Sequence, residues 1–154
     1  MPGARAHLAL TDHEVAAYLN EQPTLILCTL GPDGLPDPVP MWFVRDADGV
    51  LLMTTYASSQ KVVNLRRAPR VAALVEDGLA YGELRGVQLT GSIEVVDDDD
   101  AVLDTMVRVA GKYGGAPDTP ETRDALRAQA AKRALLRLVP ERTASWDHRK
   151  MRTS

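Results

Sequence analysis

The sequence has a single cysteine, Cys28, among 154 residues, so no disulfide can close within the chain. Set in the apolar run Thr24 to Leu30, that thiol reads as a small buried hydrophobe, and its use fits a reducing cytoplasm. Long hydrophobic runs are missing too. Residues 1–10 carry no basic segment leading into an apolar stretch, and nowhere do the roughly 18 consecutive apolar residues of a membrane span occur. The expectation is a chain neither secreted by that route nor membrane-spanning. There is no surplus of positive charge: 18 Lys and Arg against 21 Asp and Glu give a net charge of −3. That balance argues against a nucleic-acid backbone as partner. No Cys/His spacing suggests zinc, no Ser, His and Asp pattern suggests acyl transfer, and the adjacent aspartates Asp97 to Asp100 point in too many directions to share a metal. Aromatics make up only 5% of the residues, so Trp42 and Trp146 are needed first as bulk for packing.

What is present is 45% hydrophobic residues, enough to bury one core and too short a chain for two, so a single domain over residues 1–154 is expected. Thr11 and Glu14 form a capping-box pattern, with Leu10 and Val15 as its staple, which predicts a helix to about residue 20. Short apolar, β-branched runs follow over residues 24–30, 37–45 and 50–56. They are separated by Gly31-Pro-Asp-Gly34 and Asp46-Ala-Asp-Gly49, and read as hairpin-linked strands. A short helix over residues 60–67, capped by Ser58 or Ser59, must end before Pro69. Strands are predicted over residues 71–75 and 86–96. In the second, Val87, Leu89, Ile93 and Val95 alternate with Gln88, Thr90, Ser92 and Glu94, the mark of a half-buried antiparallel strand. A helical insert at about residues 97–133 begins with the four aspartates at the positive end of a helix dipole and continues with a second helix whose first residue is Pro120. A last strand over residues 134–146 is kinked at Pro140. Many short strands, with helices inserted rather than alternating, argue for a mainly β antiparallel barrel with peripheral helices.

Chemistry concentrates in Thr54-Thr-Tyr-Ala-Ser-Ser-Gln-Lys-Val-Val-Asn-Leu-Arg-Arg-Ala-Pro69. A strand ends in hydroxyl residues and a helix starts at once with Lys61 in its first turn. Free backbone N–H groups, hydroxyls and an ammonium can therefore converge on a phosphate. The alternative is a serine that merely caps the helix beside a solvated basic face, and capped helix starts are the commoner case. His148, between Asp147 and Arg149, reads equally as a proton donor or a surface group. His13 reads as a first-turn surface residue.

Several segments resemble the pyridoxamine-phosphate-oxidase-like split-barrel superfamily, and within it the flavin and deazaflavin oxidoreductases common in actinobacteria. They are Pro38-Val-Pro-Met-Trp-Phe43, Leu51-Leu-Met-Thr-Thr55, Lys61-Val-Val-Asn-Leu-Arg-Arg-Ala-Pro-Arg-Val71, Gln88-Leu-Thr-Gly-Ser-Ile-Glu-Val-Val-Asp97 and Ser145-Trp-Asp-His148, and they span most of the chain in the family's order. The resemblance implies a six-stranded antiparallel split barrel of the FMN-binding type, working as a homodimer with the cofactor between subunits. It places Lys61 on the cofactor phosphate with Ser59 and Gln60 beside it. Thr54 and Thr55 lie under the cofactor, Val39, Pro40 and Met41 face its ring, and Trp146 and His148 reach across from the partner chain. Relatives often carry arginine at one or both positions before the lysine. Here these are Ser59 and Gln60, and without a guanidinium the phosphate has no bidentate partner at that point. Arg66, Arg67 or Arg85 would compensate by gripping an acidic cofactor tail.

The resulting expectation is a cytoplasmic coenzyme F420-dependent reductase. Hydride passes from reduced deazaflavin to an electron-poor double bond (enone, quinone or imine) of a small molecule, with His148 or Tyr81 as candidate acids. The alternatives are an FMN-dependent oxidase or reductase and a non-catalytic carrier of cofactor, haem or lipid on the same barrel. F420 would be bound between copies with no metal, nucleic acid or membrane span involved.

Overall fold

A computed structural model describes residues 5–153. Helix α1 (Asp12–Glu21) starts on the expected capping box: Thr11 accepts from the Glu14 amide and Glu14 accepts from the Thr11 amide, while Leu10 and Val15 pack on the core. The strands are β1 (Leu25–Leu30), β2 (Pro36–Met41), β3 (Val44–Arg45), β4 (Leu51–Tyr56), β5 (Arg70–Asp77), β6 (Arg85–Val96) and β7 (Arg133–Asp147), with helices α2 (Gln60–Arg67), α3 (Asp99–Gly114) and α4 (Pro120–Ala130) between them. They form one antiparallel sheet in the order β2-β1-β5-β6-β7-β4-β3.

The sheet has seven strands rather than six because the stretch expected as one strand over residues 37–45 is divided. Its halves, β2 and β3, occupy opposite edges of the sheet. Only Trp42 and Phe43 separate them, and three Cα steps span roughly 11 Å at most. The two edges must therefore meet, and the sheet curls into a split barrel with Trp42-Phe43 bridging its seam. Edge strand β2 carries Pro36, Pro38 and Pro40 at alternate positions. Its outward side thus lacks three amide donors, as suits a strand paired on one side only.

Alternation divides the packing into two cores. Leu51 and Met53 of β4, with Leu136 and Leu138 of β7, point into the barrel beside Leu25, Leu27, Val87 and Leu89. Leu52 and Leu135 point outward against Val102, Leu103, Met106 and Val107 of α3. The helical insert is thereby fastened over the outer face of β3, β4 and β7. It ends sooner than the sequence suggested: α4 stops at Ala130 and Arg133 already belongs to β7. The predicted kink at Pro140 is a bulge opposite Thr90 and Gly91, where Glu141 has no register partner. Gly91 is required there, since a methyl group on it would lie 2.1 Å from the Val139 carbonyl oxygen. Among the described residues no helix is long and apolar enough to cross a membrane.

Candidate functional site

Helix α2 is tied to the barrel by one fully buried polar residue. Asn64, 0% exposed, donates from Nδ2 to Thr29 Oγ1 on β1 (3.1 Å) and Asp37 Oδ2 on β2 (3.3 Å), and accepts at Oδ1 from Gln60 Nε2 (2.9 Å). With Val62 and Leu65 buried beside it, the helix start is held in one place. Ser59 stands at the N-cap position, but its hydroxyl makes no capping bond. It lies 3.4 Å from the Thr55 hydroxyl instead, and Lys61 Nζ donates to the same Thr55 oxygen at 3.1 Å. Lys61, Thr55 and Ser59 thus form one polar cluster beside an uncapped helix start. Of the two serines expected to cap the helix, Ser58 and Ser59, it is Ser59 that holds the N-cap position, and its hydroxyl faces that cluster instead.

Thr55 also borders a cavity of about 480 Å³, within the range of small-molecule sites. Pro40, Met41 and Trp42 close it along the seam, Thr54 and Thr55 from β4, Met106, Val109 and Ala110 from α3, Leu126 and Gln129 from α4, and Arg133 from the start of β7. The lining is apolar apart from two threonines, one amide and one guanidinium. Of the residues expected at a ring-binding surface, Pro40, Met41, Thr54 and Thr55 come together here. Val39 does not border it: like Met41 it packs on the barrel core, but it lies two residues further from the seam. Gln60 is engaged by Asn64 and lies outside the lining.

The seam is braced from α3. Phe43 has no strand partner, and its amide donates to Tyr113 Oη (3.0 Å) while its carbonyl accepts from Lys112 Nζ (3.0 Å). The Tyr113 ring stacks on Trp42 at 4.4 Å with 10° between planes. Burial lowers the Lys112 pKa to about 8 and raises that of Tyr113.

Trp146, Tyr81 and His148 lie apart from this cavity. His148 Nδ1 is 2.7 Å from the Tyr81 carbonyl oxygen, so Nδ1 carries the proton. The two rings pack at 4.7 Å. Trp146 lies over Gly86, where a methyl group would come within 2.1 Å of its ring. It borders a mostly apolar hollow on the barrel's outer face with Ile26, Cys28, Pro38, Leu74 and Gln88. The arginines considered for an acidic tail are engaged elsewhere. Arg66 pairs with Asp97 at 2.8 Å, Arg67 donates to the Leu30 carbonyl, and Arg85 bridges Asp77 and Glu21 at 2.5 and 2.9 Å. Among the described residues, no three His, Cys, Asp or Glu side chains are grouped to hold a metal. Arg133, Gln129 and the α3 wall were not expected from the sequence. Their signal was the apolar spacing of Met106, Val109 and Ala110, which marks a buried helix face without saying what it covers.

The sequence model of pyridoxamine 5'-phosphate oxidase matches residues 11–147. The chain belongs to this family. A conserved hypothetical protein from Mycobacterium tuberculosis is 41% identical with a TM-score of 0.90, over 96% of this chain and 91% of that one. A structure described as an F420 reductase is 26% identical with a TM-score of 0.65, over 82% and 93%. The haem storage protein HutZ from Vibrio cholerae, 20% identical with a TM-score of 0.65 over 85% and 90%, shares the fold. No curated protein matches the chain.

Proposed function

We propose that this member of the family is a cytoplasmic oxidoreductase that binds coenzyme F420 and reduces an electron-poor double bond of a small molecule. The observation carrying this reading is the Lys61, Thr55 and Ser59 cluster at an uncapped helix start, which shares Thr55 with an apolar cavity. An ammonium, two hydroxyls and free first-turn amides suit a phosphate. Met41, Pro40 and Thr54 suit a flat ring that must be kept from water. When bound, the deazaflavin supplies the hydride. The chain's own part is to hold the phosphate at Lys61, orient the ring against Met41 and Thr54, and exclude water with the α3 and α4 wall. Among the described residues bordering the cavity only Arg133 is ionisable, so a dedicated proton donor would have to come from elsewhere. The F420 reductase among the related structures supports the deazaflavin over FMN.

The hollow around Trp146, Ile26 and Leu74 supports packing of a second copy on the outer face. Sedimentation is expected to give the mass of a dimer. In that arrangement Trp146 lies on the face turned to the partner, whereas His148 is buried against Tyr81 in its own chain.

Purified protein titrated with F420, FMN and haem, followed by fluorescence quenching or absorbance, tests the reading. Lys61→Ala is expected to weaken F420 binding at least tenfold, as removal of a charge-assisted hydrogen bond does. Binding of none of the three would sink it. The absence of an acid from the lining favours a second reading, a cofactor carrier without turnover. That reading moves ahead if F420 binds and the reduced form is not oxidised across a panel of enones and quinones.

A further inference from the structure

Among the described residues, Arg133 is the one charged side chain bordering the cavity, and it has no charge to meet there. Its guanidinium carbon sits 4.5 Å from the centre of the Tyr56 ring, on the outer face of the β4 and β7 pair, because Tyr56 and Arg133 are register partners. Its Nε is fully buried and has no hydrogen-bond partner. Among the described residues it makes no ion pair, whereas its neighbours are satisfied: Arg123 holds Asp118 and Asp104, and Arg137 holds Glu94. A buried N–H left unpaired is costly. An arginine kept half-buried beside an otherwise uncharged cavity is a standing donor for a group that arrives from solution. Gln129, one helix end away, and Thr54 on the adjacent strand add neutral polar atoms to the same lining. The opposite walls, Met41, Trp42, Met106 and Val109, are apolar.

We infer that the molecule accepted by this cavity is an apolar body bearing a carboxylate or phosphate, with Arg133 as the residue that receives the anion. The inference rests on reading the cavity as a binding site and deepens it by naming the ligand's charge. It invokes a different charge from the Lys61 cluster: Thr55 belongs both to that cluster and to the cavity lining, but Arg133 borders the cavity and Lys61 does not. A planar guanidinium selects oxyanions with two oxygens to offer, and the surrounding apolar walls strengthen the pairing.

Three probes with the same bicyclic ring separate charge from shape: naphthoate, naphthyl phosphate and the neutral naphthamide, measured by calorimetry on the intact protein. One of the two anions is expected to bind at least tenfold more tightly than the amide, and the better of them identifies the oxyanion. Arg133→Met is expected to abolish the preference and Arg133→Lys to retain part of it. Lys61→Ala is expected to leave it unchanged. If Arg133→Met does not fold, Arg133→Gln carries the comparison. Equal affinity for acid and amide, a preference surviving in Arg133→Met or Arg133→Gln, or one abolished in Lys61→Ala would each overturn the inference. Failure of F420 and FMN to bind, with the anion preference intact, would remove the cofactor proposal and leave this one standing.

Discussion

Replacing Asn64 by alanine tests the claim that one buried amide fixes the helix carrying Lys61. The substitution removes two donated bonds, to Thr29 and Asp37, and one good accepted bond from Gln60; the bond from Arg67, at 3.5 Å, adds little. Each bond is worth about 1 kcal/mol net. Asp37 and Gln60 can turn to water, but Thr29 is 2% exposed and its hydroxyl loses a donor it cannot replace. A loss of about 3 kcal/mol follows, which for a chain of this size is about 6–12 °C in Tm. Urea unfolding monitored by circular dichroism should show a lower midpoint with an unchanged m-value. Asn64→Asp should cost more than Asn64→Ala, since it turns a carboxylate oxygen toward Thr29 and Asp37 where a donor stood. A Tm change below about 2 °C in Asn64→Ala, or an aspartate milder than the alanine, would refute this account of α2.

Two further outcomes are expected. Gly91→Ala drives a methyl group against the Val139 carbonyl, where backbone rather than a movable side chain blocks it; thermal melts should show a loss of about 2–3 kcal/mol. The pKa of Lys112 is held near 8 by burial, below the usual value of about 10.4, so above pH 8 the unfolded chain binds the proton more strongly than the folded one. Unfolding free energy should therefore rise with pH between about 8 and 10.4. Lys112→Met should flatten that rise by ~1 kcal/mol once solvent screening is allowed for, as checked by chemical denaturation at paired pH values.

Local signals carried much of the fold. Thr11 and Glu14 announce α1, Pro69 ends α2, and the alternation from Val87 to Val95 places β6, because each depends on neighbours within a turn or a strand. The division of residues 37–45 was not readable in this way. Val39, Met41 and Val44 look like one strand, and only the closing of the sheet shows that its halves lie on opposite edges. The same limit applied to the site. Lys61, Thr54, Thr55 and Met41 lie in segments whose order suggests a cofactor barrel. Arg133 looked like the end of a helix, since its partner Tyr56 is 77 positions away and no periodicity spans that interval. Ser58 or Ser59 was expected to cap α2 because sequence cannot tell whether a hydroxyl will pair with a first-turn amide or with another side chain.

The seam at Trp42-Phe43 also bears on the order in which the molecule is assembled. Strand β4 finds its main partner only in β7, with Leu51 opposite Leu138, so a chain leaving the ribosome displays the β3 and β4 hairpin with an unmatched edge until β7, which begins 77 positions after β4 ends, has been made. Barrel closure is then a late, long-range event in folding. The interval before it is when the nascent protein is most exposed to mispairing with another copy.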